Sequence, residues 1–173
     1  MGITQRNLGL LVATLLASIA LLGASWGSNA SPSFAPVTHK PTANECAACH
    51  MAYPAGLLPA RSWTKMMREL ETHFGEDASL SPEETVAITR YLVEHAADSP
   101  RANARSQRIA REIRPGDTPQ RFSETPHFRY LHDEVPAGVW KRAKIASRAN
   151  CIACHTRADS GSFAEREIRI PKN

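Results

Sequence analysis

Cysteine is scarce in this chain of 173 residues, which has four, and each of the four lies in one of two five-residue stretches. None is left over for a disulfide framework elsewhere. Methionine is absent after Met67, so a thioether ligand for any metal held in the C-terminal part would have to reach back from Met66 or Met67. Both fall in an amphipathic stripe and read more simply as packing residues. The one long apolar run, Leu8 to Gly23, is shorter than the roughly 20 residues of a comfortable transmembrane helix. Zinc-finger and RNA-binding motifs are missing. The balance of 21 basic against 17 acidic side chains is too slight to argue for nucleic acid. No residue set beyond the histidines suggests a general acid or base, so an enzyme is not expected.

What the chain does have is Cys46-Ala47-Ala48-Cys49-His50 and Cys151-Ile152-Ala153-Cys154-His155. Each is a complete C-x-x-C-H, the attachment pattern of haem c. The two cysteines become thioethers to the porphyrin vinyl groups, and the histidine comes up under the iron as proximal ligand. A four-cysteine zinc centre or a pair of disulfides would use the same cysteines, but neither explains why a histidine follows both pairs directly. The expectation is two covalent haem c groups, with His50 and His155 on iron.

Arg6, the apolar run and the small residues up to Ala30 form a basic n-region, an h-region and a cleavage signal. Residues 1–30 therefore read as a cleaved signal peptide, an uncleaved anchor being the alternative, and the expected location is a bacterial periplasm. No stable membrane insertion is expected after cleavage. The remainder divides into an N-terminal haem lobe (31–99), an Arg-rich connecting segment (100–120) and a C-terminal haem lobe (121–173). Roughly 140 residues give a modest polypeptide core, to which two flat apolar macrocycles would add.

Local patterns predict a mainly helical chain. Asn44-Glu45 can start a short helix carrying the first motif. Pro54 and Pro59 make residues 53–60 a loop whose Leu57 and Leu58 are expected to cover haem. Trp63, Met66, Met67, Leu70 and Phe74 recur at three- and four-residue steps, predicting a helix from Arg61 to Phe74 ended by Gly75. Ser81-Pro82-Glu83-Glu84 is a strong start for another, running to about Ala97. Arg101, Arg105, Arg108, Arg111 and Arg114 mark either a solvated helix ended by Pro115-Gly116 or a mobile linker. Ala137 to Ser147 reads as a helix, Asn150 as the residue before a second motif helix. Phe163, Ile168 and Ile170 read as a tail closing the haem pocket.

Five histidines lie outside the motifs, and two His/His sites are the economical use of them. His73 shares the apolar face of its helix and His95 that of the next; either could be a sixth ligand, or a core histidine bonded to a carbonyl. His132 follows Phe128 by four residues on one face, and is favoured over His127. His39 lies in a Pro-rich lead-in and is expected to stay away from iron.

These stretches resemble the periplasmic dihaem cytochrome c family, the proteins related to the partner of Sphaeroides haem protein. The resemblance rests on Cys46 to His50, on Tyr53-Pro-Ala-Gly-Leu-Leu-Pro-Ala-Arg-Ser-Trp63, and on His73-Phe-Gly-Glu-Asp-Ala78. In the C-terminal part it rests on His132-Asp-Glu134 ahead of Trp140, on Asn150 to His155, and on Gly161-Ser-Phe163 through Ile170-Pro171. It implies a mainly α fold, a small dihaem c-type cytochrome with two haem-binding lobes packed together, and distal ligands at His73 and His132. It further implies an electron carrier working with a membrane cytochrome b and a small haem protein. A dihaem peroxidase or reductase, and the small electron-transfer subunit of a periplasmic nitrate reductase, are the alternatives.

Overall fold

The structure, a computed structural model, describes residues 33–172; the expected signal peptide, residues 1–30, lies outside the described residues. Among the described residues six α-helices are joined by turns and short 3-10 segments: α1 (Lys40–Cys46), α2 (Ala60–Arg68), α3 (Pro82–Glu94), α4 (Ala104–Glu112), α5 (Pro126–Leu131) and α6 (Ala137–Trp140). Among the described residues β-pairing is limited to isolated bridges, His73 with Glu76 and His155 with Ile168.

The longest helix begins where its capping chemistry dictates. Ser81 Oγ accepts from the Glu84 backbone N–H at 3.2 Å, and Glu84 returns the favour to the Ser81 N–H at 3.1 Å, a full capping box with Pro82 at the first position. Its buried stripe, Ile88 and Leu92, packs with Trp63 and Met67 of α2 and with Leu58 and Ala96 in one core cluster. The Trp63 indole N–H donates to the Ala55 carbonyl at 2.8 Å, so the proline-rich loop is tied to the helix that follows it. Asp98 closes the unit by accepting from the first N–H of α2, that of Ala60, at 2.8 Å.

The Arg-rich segment is a helix rather than a linker. Asn103 caps it by accepting from the Ser106 N–H at 2.9 Å, and Ser106, Ile109 and Ile113 turn inward while Arg105, Arg108 and Arg111 stay exposed. Ile109 and Ile113 meet Leu57 and Phe34 in a second cluster. The approach to the proline-rich loop is close: a Cβ on Gly56 would lie 2.5 Å from Ser106 Oγ. The helix stops at Glu112, before Pro115.

Four expected elements are shorter than, or different from, their patterns. The helix over Arg61–Phe74 ends at Arg68 and is followed by a 3-10 turn, Leu70–Thr72. Phe74 then takes φ 53° and Gly75 φ 101°, and this left-handed corner turns the chain back. The first motif is not carried on a helix, because α1 runs from Lys40 and ends at Cys46; the second starts in a 3-10 turn, Cys151–Ala153. The helix expected through Ser147 has four residues, the following turns including Ala146 at φ 59°. In the tail Phe163 packs against Phe34 and the His155 ring, Ile168 bridges to His155, and Ile170 is 49% exposed.

Candidate haem sites

At the first site, the turn after α1 brings His50 out beside Cys46 and Cys49. The His50 Nδ1–H donates to the Met51 carbonyl at 2.8 Å. A carbonyl only accepts, so the proton is on Nδ1 and the Nε2 lone pair is left for a metal. The corner at Phe74–Gly75 presents His73 to this ring, with centroids 6.2 Å apart and planes at 34°. Two imidazoles on one metal, each bonded at about 2 Å, put their ring centres roughly 6 Å apart.

The second site has the same spacing and a different construction. α5 starts at Thr125, which accepts from the Phe128 N–H at 3.2 Å, with Pro126 at its first position. His132 follows the last residue, its Nδ1–H donating to the Phe128 carbonyl at 2.9 Å and its ring stacked on Phe128 at 4.0 Å. His155 stands opposite, 6.0 Å away with planes at 75°. Phe163 packs against His155 at 5.2 Å, and His155 Nδ1 is buried without a partner.

Burial favours the neutral, metal-binding form at His73, His132 and His155. Loss of solvent lowers the pKa of His73, helped by the neighbouring His50 and Arg121. Desolvation lowers His132 against an opposing bond to the Phe128 carbonyl, and it lowers His155 with a contribution from His132. The thiols of Cys46 and Cys151 are pushed up to about 11, burial being the main cause in each. As thioethers these sulfurs would carry no proton to lose, so the same burial suits attachment.

The remaining histidines are accounted for elsewhere. His39 stacks on Tyr91 at 5.1 Å and bonds Thr42, while His95 sits on the other contact of that ring at 4.5 Å and donates to the Tyr91 carbonyl. His127, 5% exposed, bonds Glu112 at 2.9 Å across the α4–α5 junction. Among the described residues no three His, Cys, Asp or Glu side chains gather as a metal cage, which leaves the zinc alternative without a site.

Does a haem suit what is there? The cleft over His50 and His73 is walled by Leu57, Leu58, Trp63, Met66 and Phe122 and reaches across to Phe128 and Cys151. A large apolar plate fits such walls. Some of the large apolar side chains left open to solvent adjoin the facing histidines and the second motif in sequence: Phe74 at 48%, Leu131 at 50% and Ile152 at 47%. A bound macrocycle would cover surface of this kind. The two sites adjoin, because Phe128 lines the first cleft and stacks on His132 of the second. Tyr53 joins them too: it lies 5.0 Å from the His50 ring and donates its hydroxyl to the Ala149 carbonyl at 2.6 Å, just before the second motif.

Two C-x-x-C-H turns, each with a second imidazole opposite the first, in a small helical fold, define a dihaem c-type cytochrome. The chain belongs to the dihaem cytochrome c family, whose model matches residues 42–163, and it carries two covalently bound haem c groups. Among solved structures it is similar to a dihaem cytochrome c from Rhodobacter sphaeroides, at 48% identity and TM-score 0.65, covering 75% of this chain and 99% of that one. It is also similar to a dihaem cytochrome c from Shewanella baltica OS155, at 38% identity and TM-score 0.62, covering 76% and 91%. Among curated proteins there is no match.

Pattern reading missed Phe128 as the shared wall, the Tyr53 link, and two arginines at the first cleft, Arg121 and Arg148. An i,i+4 aromatic–histidine step hints at the first; nothing local signals the other two.

Proposed function

We propose that this protein is a periplasmic carrier of single electrons, with one iron held by His50 and His73 and the other by His155 and His132. In this reading it passes electrons between a membrane cytochrome b and a small haem protein. The observation that supports it is the facing of imidazoles at 6.2 and 6.0 Å. Haem supplies reversible one-electron chemistry. The chain's own residues fix the two rings, hold their protons on Nδ1 at His50 and His132, and pack the pockets with apolar groups. Histidine on both sides of iron favours lower potentials than a methionine ligand, which suits donation. An iron held by two imidazoles has no open position for a substrate, so peroxidase or reductase chemistry would require a ligand to leave. Among the described residues no helix is long and apolar enough to cross a membrane.

Partner choice rests on the family resemblance and on charge. Glu69, Glu71, Glu76 and Asp77 are exposed in one stretch of the chain and Arg105, Arg108, Arg111 and Arg114 in another. Such polarity orients encounters and makes their rates fall with salt. The test is stopped-flow mixing of the reduced protein with candidate small haem proteins at two ionic strengths. Fast, salt-sensitive transfer is expected. Slow transfer, together with turnover of peroxide or nitrite by the protein itself, would replace the carrier by an enzyme.

A further inference from the structure

The cleft of the first site has a polar margin that ring packing does not explain. Arg121 and Arg148 both line it, and no aspartate or glutamate does. Arg121 lies with its guanidinium 3.7 Å over the ring of Phe74, the residue after His73. Its one ion pair, with Glu124 at 3.3 Å, is on the surface with both side chains more than two-fifths exposed, where such pairs are weak. Arg148 forms no ion pair among the described residues and rests over Trp140 at 5.5 Å. Two cations with planar donor forks thus face an apolar cleft that offers them no carboxylate. A haem c placed there brings two propionates, and guanidinium matches a carboxylate in both charge and geometry.

We propose that Arg121 and Arg148 are the propionate-binding residues of the first haem and that their charges raise its reduction potential. This rests on the reading of His50 and His73 as the iron-binding pair. Arg148 comes from the segment that carries the second motif, so the first site is incomplete without the C-terminal part of the chain. The electrostatic consequence follows from charge alone. A propionate without its cation adds negative charge near iron, which favours the ferric state and lowers the potential.

The test is spectroelectrochemical titration of the holoprotein with Arg121→Gln, Arg148→Gln, the double variant, and Arg114→Gln as control. Arg114 is exposed, pairs with Asp117, and does not line the cleft. One of the two reduction steps should move to lower potential in each single variant and further in the double. The other step, and both steps of Arg114→Gln, should stay in place. Arg148→Lys, which keeps the charge but not the fork, should restore most of the shift. Both steps unmoved in the double variant, with low-spin spectra intact, would overturn the proposal. A wild-type protein that is not low-spin at both irons would overturn the ligand reading beneath it instead.

Discussion

At the first site His50 and His73 lie 34° from coplanar, and at the second His132 and His155 stand 75° apart. At the first pair the His50 Nδ1–H donates to the next residue's carbonyl beside Tyr53, His73 sits before a left-handed corner against Phe74, and Trp63 and Met66 of α2 stand in the wall. The second pair also uses a carbonyl bond, from the His132 Nδ1–H to Phe128. It differs in stacking His132 face to face on Phe128 at 4.0 Å and in setting Phe163 against a His155 whose Nδ1 has no partner, among short helices and turns. One five-residue motif can therefore be completed by quite different means, because it specifies the attachment and only one of the two axial ligands. The angles lead to a spectroscopic expectation. Two distinct low-spin ferric signals should be resolved by electron paramagnetic resonance, the more anisotropic one from the near-perpendicular second pair. A single signal accounting for both irons would contradict the difference.

Substitutions that remove aromatic walls should damage the second site first. Phe128→Ala deletes the ring under His132 and opens a hole beside Phe122; burial of this kind costs about 3–5 kcal/mol when lost. Denaturant unfolding should show that loss, and the second iron should gain high-spin character. Unchanged stability would mean that haem, not Phe128, packs His132. Next comes Gly161→Ala. Gly161 has φ 76°, and a Cβ there would fall 2.1 Å from the Phe34 carbonyl oxygen, so Phe34 and with it Phe163 must shift. A cost on the order of 2–4 kcal/mol is expected, again with the second site's spectrum altered and the first's retained.

The smallest effect belongs to the first half. Ser81→Ala removes the cap of α3 and should cost about 1 kcal/mol without touching either haem spectrum. The same cap carries a pH dependence. Hydrogen bonds from the Ser81 side chain and backbone lower the pKa of Glu84 from its ordinary 4.5. A carboxylate with a depressed folded pKa stabilises the fold above the unfolded value, and that stabilisation is lost as pH falls through the folded value. Below that point the gap between wild type and Ser81→Ala should narrow but persist, because the bond from the Glu84 N–H to Ser81 Oγ does not titrate; a gap that widens in acid would refute the assignment.

Legibility from sequence followed the range of the interactions. Ser81-Pro82-Glu83-Glu84 was readable because a cap and its helix are local. The attachment residues were readable because their spacing is the chemistry. The histidines opposite were half readable: periodicity singled out His73 and His132, but also His95 and His127. The choice among them depends on Glu112 reaching His127 and on His39 stacking on the Tyr91 ring that His95 packs against, contacts that no local pattern encodes. The early stop after Arg68 was hidden for a related reason, since Phe74 takes a left-handed conformation that a non-glycine residue rarely announces. In the Arg-rich segment, Ile109 and Ile113 alone supplied the inward stripe, too sparse to separate a packed helix from a linker.

The central claim is that each iron lies between two imidazoles, one from its motif and one from His73 or His132. Optical and electron paramagnetic resonance spectra of the purified holoprotein, beside His73→Gly and His132→Gly, test it most directly. The account predicts two low-spin irons in the wild type in both oxidation states. Each variant should convert one iron to high spin, His73→Gly the first and His132→Gly the second. A high-spin iron in the wild type, or two low-spin irons surviving in either variant, would contradict it.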